Sequence, residues 1–199
     1  MVNSETTNSN IVTRWFGKDF ESLHPLLQQL HLNGGELKGD IKLEFGSGVA
    51  GWIGRRLARK LGLPKYATEM SQAIVELKVD ISHDKNGLYW SRLFDESNVM
   101  KSVFVPAGNI EKGFWVEDSG ALRLILTVDI INGGWHWRCL GFRLFGIPMP
   151  MWLFPKSKAY KIIENDKYRF YVGFSFFGIG KLFSYSGLLG ISNSKIESI

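Results

Sequence analysis

The chain carries two kinds of apolar spacing, and the change from one to the other divides it into an early helical part and a long strand-rich part. Phe20, Leu23, Leu27 and Leu30 recur at helical spacing over residues 20–32, with Gly34-Gly35 as the stop signal. Pro25 places the start of the regular helix near itself, since proline is tolerated in a first turn and not later. Residues 36–45 then alternate, with Leu37, Ile41, Leu43 and Phe45 opposed by Lys38, Asp40, Lys42 and Glu44, which predicts a strand with one wet face. Val49, Ile53, Leu57 and Leu61 return to helical period until Leu63-Pro64 ends it.

From Gln72 onward the period is almost wholly two. Val75, Leu77, Val79 and Ile81 alternate with Glu76, Lys78 and Asp80; Asn86-Gly87 follows, and residues 88–94 return. The pattern predicts a hairpin whose Asn-Gly turn takes positive φ angles. Further strands are expected at 101–105, 113–117, 122–131, 135–144, 160–164, 168–176 and 181–188, joined by short links rich in Gly, Asn, Asp and Pro. Strands spaced this regularly predict a mainly β (α+β) fold, a curved antiparallel meander or partial barrel, with two helices from the N-terminal half covering it. Alternation puts Tyr168, Phe170, Val172, Phe174 and Phe176 on one face, and Leu122, Leu124, Leu126, Val128 and Ile130 on another. Such an aromatic face either lines a pocket for something apolar or fills a solid core.

Composition agrees with one domain. The 199 residues are 45% hydrophobic and 14% aromatic, enough for a single core, which is expected over residues 18–191 between frayed or disordered tails at 1–17 and 192–199. Met1 to Asn10 is polar and lacks the apolar core of a secretory signal, which predicts a cytoplasmic protein. The most lipid-like stretch, 139–155, holds Arg143 and is broken by Pro148, Pro150 and Pro155, so no transmembrane segment is expected. A single cysteine, Cys139, excludes a disulfide framework and a Cys-rich zinc module.

The net charge of +5 gathers in one place, the helix carrying Arg55, Arg56, Arg59 and Lys60. That helix reads as a solvated face, or as a surface for an anionic membrane or an acidic partner, with Trp152 as a further surface-contact candidate. Nucleic acid is not expected, because no recognition motif accompanies the charge. Gly46-Ser47-Gly48-Val49-Ala50-Gly51 matches a GxGxxG dinucleotide pattern between strand and helix. A dinucleotide-binding first strand is apolar on both faces, however, and this one alternates with Lys42 and Glu44, so a strand-to-helix turn is the better reading. His24 and His31 lie near one helical face without further ligands, so no metal and no cofactor are expected. Cys139 and His136 fall on alternate faces of one strand and make no dyad.

The chemistry-bearing residues embedded in the strands are Trp90, Arg92, Glu117, His136, Arg143 and Tyr185. Trp90 and Arg92 share a face, and a guanidinium beside a ring is suited to an anionic head whose tail lies among aromatics. Arg92–Glu117 or Arg143–Glu117 is the alternative, a structural ion pair.

The chain also resembles a bacterial family, domain-of-unknown-function family 4166, found alone or fused to reductases similar to saccharopine dehydrogenase. The resemblance is carried by Phe20-Glu21-Ser22-Leu23-His24-Pro25, the LARKLGLP stretch from Leu57 to Pro64, Trp90-Ser91-Arg92-Leu93-Phe94, Gly146-Ile147-Pro148-Met149-Pro150 with Pro155, Ala159, Gly180-Lys181-Leu182 and Tyr185-Ser186-Gly187. It spans about residues 20–189. Where the family shows Glu followed shortly by Gly-Pro, this chain has Glu117-Asp118-Ser119-Gly120-Ala121. The family carries no assigned activity. The reading is therefore a non-enzymatic binding module for an apolar small molecule or lipid, with Trp90, Arg92 and Arg143 near the mouth. The alternatives are an interaction or regulatory module docking onto a reductase-type partner, through the basic helix or the 148–155 loop, and an enzyme drawing an acid–base pair from His136, Glu117, Arg92 or Tyr185.

Overall fold

The computed structural model describes residues 10–118 and 122–192. Helix α1 (Ile11–Phe16), a 3-10 turn (Gly17–Ser22) and helix α2 (Pro25–Asn33) precede strand β1 (Gly35–Phe45). Helices α3 (Gly48–Lys60) and α4 (Lys65–Glu69) then interrupt the sheet. After them come β2 (Gln72–His83), β3 (Leu88–Phe94), β4 (Asn98–Ala107), β5 (Phe114–Asp118), β6 (Leu122–Ile131), β7 (Gly134–Leu144), β8 (Ile147–Met149), a short 3-10 turn (Met151–Leu153), β9 (Lys156–Glu164), β10 (Lys167–Phe176) and β11 (Gly180–Ile191).

Sequential strands pair antiparallel around a closed ten-stranded barrel, which the β1–β11 ladder seals from Leu37–Ile191 to Phe45–Phe183. Closure satisfies the edges that an open meander would leave unpaired. Strand β8 stands outside the ring and doubles back on the end of β7. As a result β9 pairs with β7 only through Trp135–Trp137, and beyond that point the two strands part.

The inward face follows the expected alternation on nearly every strand. Val75, Leu77, Val79 and Ile81 pair in register with the Leu88, Trp90, Arg92, Phe94 side of β3 or with the odd positions of β1. The 84–87 hairpin forms by a different device than expected. Neither Asn86 nor Gly87 takes a positive φ; the Asp84 carboxylate instead accepts from the backbone N–H groups of Asn86 at 2.7 Å and Gly87 at 3.0 Å.

The expected tail at 1–17 is corrected over residues 10–17. Asn10 caps α1, accepting from the backbone N–H of Val12 and Thr13. The helix buries Ile11, Val12, Trp15 and Phe16 and plugs one end of the barrel. Trp15 packs at a tilt on Trp115 at 5.3 Å and Phe16 on Trp135 at 4.7 Å, so the interior beside α1 is an aromatic core. His24 N–H to Gly133 O and Tyr168 hydroxyl to Leu26 O tie α2 over the same end. Residues 1–9 and 193–199 of the expected tails, and Ser119–Ala121 of the Glu117–Ala121 stretch, lie outside the described residues.

Helix α3 crosses the opposite end, and its glycines explain how closely. A Cβ at Gly46 would stand 1.8 Å from Lys181 O, and one at Gly54 2.1 Å from Leu182 O. The GxGxxG motif is thus a tight strand-to-helix turn that lets a helix lie on the backbone of β11. No described helix is long and apolar enough to cross a membrane.

Candidate functional site

The half of the barrel under α3 is not filled. A chamber of about 220 Å³ lies between the inner faces of β3 to β7, β9 to β11 and the side chains of Leu57 and Leu61 from α3. A smaller one of about 60 Å³ lies deeper, against Leu30, Val79 and Lys161. Trp90, Arg92, Trp137, Ala159, Val172 and Tyr185 line both. Apart from Ser102, Glu117, Cys139, Ser157 and Lys161, the rest of the lining is aromatic or aliphatic, with Phe104 stacked on Trp137 at 5.1 Å and Phe174 tilted on Phe183 at 5.0 Å.

Strand parity places the polar groups. Val79 opposes Arg92, Arg92 opposes Met100, and Trp90 opposes Ser102, so all of them face inward. Arg92 is only 9% exposed. It donates to the Ser102 hydroxyl at 3.0 Å and sits 5.0 Å from the Trp90 ring. Lys161 faces inward from β9 opposite Trp135 and is buried. Its Nζ lies 4.0 Å from the Trp135 ring and 4.3 Å from that of Trp90, and it contacts His31 Nε2. Burial first, and then Arg92, holds the Lys161 ammonium well below its ordinary range. Burial first, and then Lys161, likewise lower His31, whose Nδ1 is buried without a partner.

Tyr185 is buried beside both chambers, and burial pushes its phenol up, with Glu117 adding to the rise and Arg92 opposing it. Cys139 lines the larger chamber as a neutral thiol, raised by burial and donating to Gly141 O at 3.4 Å.

Of the six residues singled out from the strands, Trp90, Arg92, Glu117 and Tyr185 are brought together here. The expected ion pairs do not form: neither Arg92 nor Arg143 bridges Glu117. Glu117 instead lines the larger chamber without an ion-pair partner among the described residues, opposite Phe104 and Leu124. Arg92 and Trp90 lie inside the barrel, not at its mouth.

Arg143 is a correction with a definite cause. It would share a face with Trp135, Trp137 and Cys139 on an unbroken strand. A bulge at Leu140, where Ile125–Gly141 gives way to Leu126–Cys139, reverses the parity. Phe142 turns inward and Arg143 outward, exposed opposite Arg123.

His136 also lies outside, stacked on Tyr160 at 5.3 Å and paired across the ladder with Asp129. Burial and Lys158 lower it. The acid–base grouping expected from His136, Glu117, Arg92 and Tyr185 therefore loses its histidine, and the other three make no hydrogen bond with one another among the described residues. Three or more His, Cys, Asp or Glu placed to hold a metal are absent among the described residues.

Lys161 and Ser102 escape a reading of the sequence. Lysine on a strand is assigned to solvent by default, and only its shared parity with Ala159 and Ile163 marks it as inward.

At the α3 end the wall has a gap. Ser157 faces inward yet is exposed, because β9 has left β7 there. The rings of Phe142 and Phe154, 4.8 Å apart, stand at this parting, and Phe154 and Pro155 line the larger chamber. Around the same end Phe177 is 86% exposed, Phe145 77%, Trp152 74% and Trp52 60%. Arg56 lies over Trp52 and Lys156 over Phe177. Arg56, Arg59 and Lys60 make no ion pair among the described residues.

No curated protein and no solved structure matches the chain. A family profile, Domain of unknown function (DUF4166), matches residues 23–189, from the α2 end of the barrel through the last inward positions of β11. The match takes in every residue lining the two chambers, and the chain belongs to this family.

Proposed function

We propose that the protein binds an apolar small molecule or lipid inside the barrel, in the chamber beneath α3. The observation that carries this reading is a void of about 220 Å³ walled largely by aromatic and aliphatic side chains, in a barrel whose end beside α1 is filled by aromatic rings. Such a void forfeits dispersion and transfer energy that larger side chains would recover, and a ligand restores it. The gap between β7 and β9 provides access. The free thiol of Cys139 favours a reducing compartment, the cytoplasm. The test is native mass spectrometry of the purified protein for a co-purifying molecule, together with titration of N-phenylnaphthylamine, a neutral apolar fluorophore. Saturable enhancement at one site per chain is expected. An apo mass combined with no enhancement would refute the reading.

A second reading concerns the outer rim of the same end. Exposed Trp52, Phe145, Trp152 and Phe177 beside Arg56, Arg59, Lys60 and Lys156 fit a peripheral contact with an anionic membrane surface, where aromatic rings and cations both gain. Of the loop expected to dock, Met151 and Trp152 are exposed while Met149 and Phe154 are half-buried. Sedimentation with phosphatidylglycerol vesicles, lost in phosphatidylcholine and weakened in R56E/K60E, is expected. Indifference to lipid charge would remove the membrane and leave a protein partner of the reductase type.

A further inference from the structure

We infer that the ligand of this cavity carries one carboxylate, seated between Arg92 and Lys161 in the smaller chamber, with its apolar body in the larger one. The inference rests on the ligand-binding reading above and names the class of ligand.

Three observations support it. First, two buried basic side chains flank one indole, Trp90, and neither meets an acidic partner among the described residues. A buried charge is normally paired, because desolvation without a counter-charge is costly. Here the compensation within the protein is one hydroxyl, one imidazole and aromatic faces. A carboxylate between the two supplies the missing counter-charge to the Arg92 guanidinium, most of whose N–H groups Ser102 leaves free, and its charge favours a proton on the Lys161 amine.

Second, the lining is rich in donors. Besides Arg92 and Lys161, the indoles of Trp90 and Trp137 line both chambers with Nε1–H groups that are buried without an acceptor. Third, Glu117, the one acidic side chain on the chamber walls among the described residues, lines only the larger chamber. It repels an anion there and so sets polarity, directing the charged end past it toward Lys161.

Size narrows the class further. The smaller chamber, about 60 Å³, accommodates a carboxylate and little more. At roughly 30 Å³ per water-sized group, the larger one holds about seven methylene-sized groups and opens at the gap between β7 and β9, so it suits a medium-chain monocarboxylic acid whose last one or two carbons reach that gap.

The experiment is calorimetric titration of the full chain with decanoate and, in parallel, decanol. Decanoate is expected to bind at least about tenfold more tightly, equivalent to about 1.4 kcal/mol. The preference should vanish in Arg92→Met and in Lys161→Met with decanol binding retained, and survive in Glu117→Gln. Comparison of the two probes on the unaltered protein needs no variant to fold. Equal affinity for decanoate and decanol would overturn the carboxylate while leaving the cavity reading intact. Binding of neither would overturn both.

Discussion

Ala159 sits on the inner face of β9 between Ser157 and Lys161, opposite Trp137 and Val172, and borders both chambers. Replacing it with leucine places an isopropyl group in the cavity volume that Ala159 lines. At about 0.8 kcal/mol per buried carbon the added group is worth up to about 2.4 kcal/mol. Freezing its rotamers takes back about 0.5–1 kcal/mol. The expected outcome is therefore a gain of about 1–2 kcal/mol by guanidinium unfolding, or a Tm higher by about 3–6 °C at this chain length. N-phenylnaphthylamine and decanoate binding should fall at least tenfold in the same variant, because the leucine occupies the passage between the chambers. In a solid core the same substitution overpacks and costs about 1–3 kcal/mol. The sign of the stability change therefore decides whether the space is real, independently of any ligand. A loss of stability would refute the cavity and the binding reading built on it.

Further outcomes follow from the packing and the surface charges. Trp15→Ala should cost about 3–5 kcal/mol in urea unfolding, because the indole is 2% exposed and donates to Ala107 O at 3.3 Å. A cost below about 1 kcal/mol would return α1 to the status of a loose tail. Gly54→Ala should destabilise by about 1–3 kcal/mol, reversing the usual gain of alanine over glycine in a helix, since its Cβ would stand 2.1 Å from Leu182 O. An unchanged Tm would show that α3 can lift without penalty. Glu44, hydrogen-bonded first to Lys181 and then to Lys42, is held at about 2 against an ordinary 4.5. Its small stabilising contribution is therefore intact above pH 4.5 and lost as pH falls toward 2. NMR titration should show the Glu44 carboxyl rising toward its ordinary value in Lys181→Met, and an unmoved titration would refute the bridge.

Alternation alone determined most of the wall of this barrel. Residue parity is a local property of an extended chain, so Trp90 with Arg92, Tyr168 through Phe174, and Leu122 through Ile130 were legible as faces before any pairing was known. The same locality accounts for α2 and α3, whose apolar spacing and stop signals lie within the helices or beside them. Tertiary structure decided the rest, in each case through contacts distant in sequence. The β1–β11 ladder turned a meander into a closed barrel. The bulge at Leu140 reversed the parity of β7 and sent Arg143 out to solvent, although every side chain around it obeys the alternation on its own side of the break. Helix α1 drew Ile11 to Phe16 out of an apparent tail, because an apolar stretch this short acquires a fold only by burying itself against Trp115 and Trp135. Lys161 became part of the site because its strand had no choice of face once Ala159 and Ile163 turned inward. The pattern along the chain specified which side chains share a face. Closure, plug and bulge specified which faces meet, and so placed two buried basic groups beside the smaller of two chambers.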